Sequence, residues 1–346
     1  MDHNFNNRRV LLTGISGFLG SHTAIQLLNK GYKVTGTVRN LSRANDLKAI
    51  IEKHTPHIQN LTIAEADLND ESKWPELTQN IDFIQHIASP FPRILPKHES
   101  DLIIPARNGV LNILKSASVN NVKRVVITSS IAAVVYGKNK KDLDLTFTEK
   151  DWTDESNKKD STPYFRSKTI AEKAAWEYLK KNPSGLELVT VLPGAILGPV
   201  LEDDFGTSAN IVIKTIDGSM PAIPKIGVEI IDVRSVADLL IKAMELPQAN
   251  NQRYLASSGY LSFKNISGIL KKEYPNRKVP SKELPDFFVK LLSNFETSLK
   301  PILIDLGIER KIDRFKAVNE LNWQPLSMEE AILSCAESVI ALKIVK

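Results

Sequence analysis

"LLTGISGFLG", residues 11–20, places Gly14, Gly17 and Gly20 three apart, after an apolar run and before a stretch with helical spacing. The order is G-x-x-G-x-x-G, not the commoner G-x-G-x-x-G of dinucleotide sites. A strand ending at Thr13 would lead into a tight turn at Gly14, where a side chain would obstruct a phosphate. Gly17 would let the backbone approach a ligand, and Gly20 would let the first helix pack close to the strand. The N–H groups at that helix's start, around Ser16, Gly17, Phe18 and Leu19, together with its dipole, favour a pyrophosphate.

Outward from this turn the first half alternates short β-branched runs with amphipathic segments. "RRVLLT", "YKVTGTVR", "NLTIAEAD", "IDFIQHIA" and "KRVVITSS" read as strands, and a helix is expected near 99–119. A further unit follows, with "TPYFRSKTIAEKAAWEYLKKN" as a long helix and "LELVTVLPG" as a strand. This pattern predicts an α/β fold: a doubly wound parallel sheet, Rossmann-like, with helices on both faces. After Gly194 the alternation gives way to a Pro- and Gly-punctuated stretch. "VEIIDVRSVADLLIKAMEL" reads as a strand and helix returning to the main sheet. The expected division is 8–194 and 228–256 as the dinucleotide-binding domain, with 195–227 and 257–346 as a smaller, helix-rich substrate lobe.

The 346 residues, 42% hydrophobic, can bury a large core. A net charge of +5 is scattered along the chain, so no nucleic-acid partner is expected. The apolar runs are strand-length, which predicts no membrane span, and "MDHNFNNRR" is too polar to open a signal peptide. Cys335 is the only cysteine, so the chain forms no internal disulfide and a cytoplasmic location is expected. No metal site is expected. A homodimer is compatible with the sequence, which does not fix an oligomeric state.

An acid about 20 residues past the glycines would bind the ribose 2′-hydroxyl of NAD. Here the stretch is "TVRNLSR", with no Asp or Glu between Tyr32 and Asn45. Arg39 and Arg43 instead offer guanidinium groups suited to a 2′-phosphate, so NADP(H) is the expected cofactor. Asp67, followed by Leu68 after the third strand, either accepts from an adenine amine or caps the segment that follows.

"PYFRSK" sets Tyr164 and Lys168 at i and i+4 on one helix face. A phenol ordinarily titrates near ~10, and a neighbouring ammonium would lower that value. Such a pair can exchange a proton with a carbonyl oxygen while hydride passes to or from a nicotinamide. "RVVITSS" ends a buried strand at Ser129 and Ser130, at the carboxyl edge where open α/β sheets place ligands, and a hydroxyl there can steady a developing oxyanion.

Together "LLTGISGFLGSH", "VVITSS" and "YFRSKTIAEKAAWEY" resemble the extended short-chain dehydrogenase/reductases. The branch resembled holds dihydroflavonol reductases, cinnamoyl-CoA reductases and yeast-type NADPH-dependent methylglyoxal/aldehyde reductases, through "HIASPF", "DLIIPARNGV" and "TSSIAAV". The resemblance spans about residues 8–260, with "ELNWQP" matching a weaker terminal motif. It implies Ser130, Tyr164 and Lys168 as the catalytic triad, with Ser130 preferred to Ser129. Many short-chain dehydrogenases carry an active-site asparagine where this chain has Ala106, so Asn108 and Asn112 receive no catalytic role. Ala88, Pro193 and Gly194 are expected beside the cofactor; His86 either lies near it or is packed. Phe91, Pro92, Ile131 and Phe165 are the expected substrate lining, with the 195–227 segment. The implied activity is reduction of a small-molecule aldehyde or ketone by NADPH. An NAD(P)-dependent epimerase or 3β-hydroxysteroid-type dehydrogenase is the alternative, followed by a non-catalytic NADP sensor.

Overall fold

The computed structural model describes residues 8–90, 98–203, 205–295 and 297–345; Phe91 and Pro92 lie outside them. Twelve strands and eleven α-helices are assigned among the described residues. The first six strands are β1 (Arg9–Thr13), β2 (Lys33–Val38), β3 (Leu61–Glu65), β4 (Phe83–His86), β5 (Arg124–Thr128) and β6 (Glu187–Pro193). They are followed by β7 (Ala195–Leu197), β8 (Ile223–Pro224), β9 (Gly227–Asp232), β10 (Arg253–Ala256), β11 (Gly259–Ser262) and β12 (Glu283–Leu284). The helices are α1 (Phe18–Asn29), α2 (Ala44–Glu52), α3 (Trp74–Leu77), α4 (Ser100–Val119), α5 (Pro163–Lys181), α6 (Ala209–Ile216), α7 (Val233–Glu245), α8 (Phe263–Glu273), α9 (Asp286–Leu292), α10 (Phe315–Leu321) and α11 (Met328–Ala341).

Seven strands form one sheet in the order β10-β6-β5-β4-β1-β2-β3, and every pairing is parallel. This is the doubly wound architecture that the alternation predicts. Both faces are covered, and the strand period sorts the side chains between them. Val10, Leu12, Phe83, Val126, Val189 and Val191 join α1, α2 and α7 in one core cluster. Leu11, Ile84, Val125, Ile127 and Leu188 join α3, α4 and α5 in another. The chain order reverses at β1, which has β2 on one side and β4 on the other, so a crevice opens at the carboxyl ends of β1 and β4.

One strand differs from expectation. Residues 227–232 do not return to the main sheet: β9 pairs parallel with β7 and antiparallel with β11 in a separate three-stranded sheet. The return is made by α7 and then β10, which lies beside β6. The chain crosses closely at the end of β6, where a Cβ on Gly194 would lie 2.4 Å from the Glu229 carbonyl oxygen. β9 passes over that end instead of alongside it.

The α7 layer is fastened by polar groups as well as apolar ones. Buried Arg124 donates to the carbonyls of Ala243, Met244 and Leu246 at 2.7–3.0 Å, satisfying the open C-terminal end of α7. Trp323, fully buried, donates from Nε1 to the Ser235 carbonyl at 3.0 Å, and Leu326 N–H reaches Ser235 Oγ at 2.9 Å. The α1/α2/α7 core cluster holds residues from both ends of the chain, Val10 and Val345 included. No helix among the described residues is long and apolar enough to cross a membrane.

Candidate active site

The phosphate end is made chiefly of backbone. Gly14 adopts φ +73°, and a Cβ there would lie 2.9 Å from Ala88 Cα. The Gly17 N–H donates to the Gly14 carbonyl at 3.0 Å, and a Cβ on Gly20 would meet that same oxygen at 2.0 Å, so α1 begins directly against the turn. Gly17 caps α1 with no side-chain hydrogen bond, and the first turn carries no acidic residue. First-turn N–H groups and an uncontested dipole fit a pyrophosphate. The buried Phe18 ring stands edge-on to His22 at 5.6 Å, with Gly206 beside it, so Phe18 offers the site only its backbone. Leu19 is likewise buried, and Ser16 is partly exposed.

Beyond β2, Arg39 is exposed and Arg43 ends a short 3-10 turn capped by Asn40. Arg43 is ion-paired with Glu202, and the Glu65 carboxylate accepts from the Leu41 N–H at 3.2 Å. The local stretch is free of acids in sequence, yet the fold brings two carboxylates to it. Asp67 Oδ1 accepts from the Asn69 N–H at 2.8 Å and from Asn69 Nδ2 at 3.1 Å, which closes a turn. Asn112 donates to the Leu68 carbonyl at 3.1 Å, and Leu68 packs over Gly109, so Asn112 serves as a clamp on this loop.

The chemical end is made of side chains. Thr162 caps α5 by accepting from the Phe165 N–H at 3.3 Å, and Pro163 opens the helix, which fixes Tyr164 in its first turn. The Tyr164 and Ser130 side chains are hydrogen-bonded to each other. Ser130 Oγ also accepts from the Ala132 N–H at 3.1 Å, which orients its hydroxyl. Ser129 is engaged elsewhere, donating to Glu172 at 2.6 Å. Lys168 Nζ lies 6.0 Å from the Tyr164 ring centroid.

Burial holds the Tyr164 phenol up, at about 12, against the pull of the Ser130 hydrogen bond. This corrects the expectation that Lys168 brings the phenol below its ordinary value: burial is the larger cause, and the group that pulls the phenol down is Ser130. Burial also lowers Lys168 to about 8, while the Glu172 charge raises it. His86 is a packed neutral imidazole. Its Nδ1 pairs with Thr13 Oγ1 at 2.9 Å, and burial, with Lys168 nearby, depresses it to about 3. Thr13 Oγ1 also accepts from the Ala88 N–H at 3.1 Å, tying β1 to the loop after β4.

Pro193 ends β6, and the Gly194 N–H donates to the Ala256 carbonyl at 3.1 Å. Ile131 opens the turn after Ser130. Phe165 stacks on Tyr136 at 3.8 Å, and the Tyr136 hydroxyl donates to Asp305 at 3.1 Å. Sequence reasoning passes over Thr13, Tyr136, Glu172 and Glu202. Of these only Glu172 carries a local signal, standing two helical turns beyond Tyr164 on the same face in "YFRSKTIAE".

The sequence profile of the NAD dependent epimerase/dehydratase family matches residues 10–255. A cinnamoyl-CoA reductase of Medicago truncatula is 33% identical over 277 residues, covering 79% of this chain and 83% of the relative. An anthocyanidin reductase ((2S)-flavan-3-ol-forming) of Vitis vinifera is 32% identical over 338 residues, covering 91% and 97%. The crystal structure of yeast methylglyoxal/isovaleraldehyde reductase Gre2 complexed with NADPH superposes with a TM-score of 0.80 at 27% identity, covering 98% of this chain and 100% of that one. With its parallel sheet, glycine turn and Ser-Tyr-Lys grouping, the chain belongs to the NAD dependent epimerase/dehydratase family, as an extended short-chain dehydrogenase/reductase.

Proposed function

We propose that this protein is an NADPH-dependent reductase that converts a small aldehyde or ketone to an alcohol. The observation that carries the reading is the Ser130–Tyr164 hydrogen bond with Lys168 on the same helix face, near the carboxyl edge of the sheet beside the β1/β4 crevice. NADPH, when bound, supplies the hydride. The glycine turn and the start of α1 would hold its pyrophosphate, and Arg39 with Arg43 its 2′-phosphate. Tyr164 is protonated at neutral pH, the state a proton donor to a carbonyl oxygen must start from. The Ser130 hydroxyl steadies that oxygen as charge develops on it, and the Lys168 ammonium stabilises the phenolate left behind. The Phe165–Tyr136 stack and Ile131 supply an apolar wall, with residues 195–227 and 257–346 as the lobe that covers the substrate. The reading extends to a cytoplasmic enzyme, since Cys335 is buried and no disulfide is used.

The test is NADPH consumption across a panel of aliphatic and aromatic carbonyls, with NADH in parallel. Alcohol formed in step with NADPH lost is the expected outcome. Interconversion of a sugar nucleotide with no net loss of nucleotide reductant would mark an epimerase instead.

A further inference from the structure

The face of α5 that carries Tyr164 and Lys168 continues one turn further to Glu172, a carboxylate only 1% exposed. Glu172 Oε2 accepts from Ser129 Oγ at 2.6 Å, and Oε1 accepts from Thr190 Oγ1 at 2.7 Å and Arg253 Nε at 2.7 Å. Trp176 Nε1 stands 3.4 Å from Oε1. Donors from β6 and β10, the Ser129 hydroxyl just past β5 and its own helix therefore fix the carboxylate in one place. Glu172 and Lys168 both line a cavity of about 20 Å³, room for about one water molecule. His86, Ala106, Thr128 and Ser129 also line it, and the buried Thr128 Oγ1 has no hydrogen-bond partner there.

The titratable groups around Lys168 are few. β4 contributes His86, which is neutral; α5 contributes Tyr164 and Glu172; α4 lines the cavity with Ala106 and Val110, which carry no charge. On β10, Arg253 is ion-paired with Glu172, its Nε and Nη2 reaching the carboxylate at 2.7 and 3.4 Å; its Nη1 reaches the Glu149 and Asp151 carbonyls, and its guanidinium lies 3.6 Å over the Trp152 ring. Among the described residues that line the cavity, Glu172 is the one carboxylate beside Lys168. A buried lysine sheds its proton unless an opposite charge opposes desolvation.

We propose that Glu172 is a positioning residue for the reaction: its buried carboxylate, anchored by Ser129, Thr190 and Arg253, keeps Lys168 an ammonium facing Tyr164. The proposal rests on the reductase reading for its kinetic consequence, but the charge of Lys168 can be read without any turnover. A purely structural Glu172 would only pair Arg253 and join α5 to β10. The two roles separate in three variants.

Lys168 is followed in the nucleotide-free protein by the pH dependence of its 13Cε resonance, assigned by its loss in Lys168→Arg. Glu172→Gln keeps the shape and removes the charge, and should lower the Lys168 midpoint by about one pH unit. Arg253→Met leaves the carboxylate less compensated and should raise it. Where Glu172→Gln alone unfolds because Arg253 is left unpaired, the Glu172→Gln/Arg253→Met double variant removes both charges and should still titrate below the wild type. In the kinetic arm, the alkaline limb of carbonyl reduction should move in the same direction as the resonance. A folded double variant with an unchanged Lys168 midpoint would overturn the proposal. Absence of carbonyl turnover in the wild type, with the resonance shifting as expected, would overturn the reductase reading and leave the charge role standing.

Discussion

The two ends of the crevice are built from opposite materials. At the phosphate end the working parts are backbone N–H groups and the absence of Cβ atoms at Gly14, Gly17 and Gly20, so function there depends on what the side chains leave open. At the chemical end the proposed working parts are Ser130, Tyr164 and Lys168; burial dominates the titration of Tyr164 and Lys168, with Ser130 acting on the first and Glu172, one helical turn away, on the second. Errors at the first end should appear as lost binding or lost fold. Errors at the second should appear as lost rate.

The largest effect expected is at Tyr164. Replacing it by Phe removes the proton donor and keeps the ring, so kcat should fall by about 10²- to 10⁴-fold while NADPH affinity stays within a few-fold. A parallel loss of affinity would mean that the two ends are less separate than described. Gly14→Ala is the converse substitution. Its positive φ and the 2.9 Å approach to Ala88 predict a loss of roughly 1–3 kcal/mol in stability, read by denaturant titration, together with weakened nucleotide binding.

Arg39→Ala should weaken NADPH by roughly 10-fold or more and leave NADH nearly unchanged, as expected for a lost charge-assisted contact to the 2′-phosphate. Glu202→Gln sharpens the same point: removing the charge of the carboxylate paired with Arg43 should tighten NADPH a few-fold, measured by nucleotide fluorescence. Equal changes for both nucleotides would remove the 2′-phosphate role.

Two pH effects are smaller. Lys168 is an ammonium below about 8 and loses its proton above, so reduction should decline as pH rises through that value, before Tyr164 titrates. His22 and His86 are held neutral, at about 4 and about 3, well below their unfolded value. The unfolded chain therefore binds protons that the folded one refuses, and stability should fall as pH drops from 6.5 toward 5, by about 2 kcal/mol for each histidine. Urea titrations at the two pH values measure it; a flat response would show that the imidazoles are reached by solvent.

What could be read in the sequence was local. The glycine turn, the strand period of "RVLLT" and "RVVIT" and the i, i+4 spacing of Tyr164 and Lys168 are each written within a dozen residues, and the fold realises them as helix, strand and shared face. What could not be read depends on partners far along the chain. "VEIID" and "RYLA" are both short apolar runs; which one joins the large sheet depends on long-range pairing, β10 with β6 and β9 with β7, that neither run carries in itself. The "TVRNLSR" stretch has no acid of its own, but Glu65 and Glu202 come to it through folding. The phenol's titration also escaped a reading by spacing, because desolvation is a property of the whole surround.

The indole of Trp323 has a consequence for how the molecule is made. It fills the space beside α7, the helix that Arg124 ties to the middle of the large sheet, and it belongs to the same apolar cluster as Val10. A nascent chain leaving the ribosome has β1 and the glycine turn long before it has this wedge. Until the region around residue 323 emerges, α7 has its contacts with α1, β5 and β6 but not this indole; translation pauses ahead of that point should leave a species more open to chaperones and proteases than the finished fold.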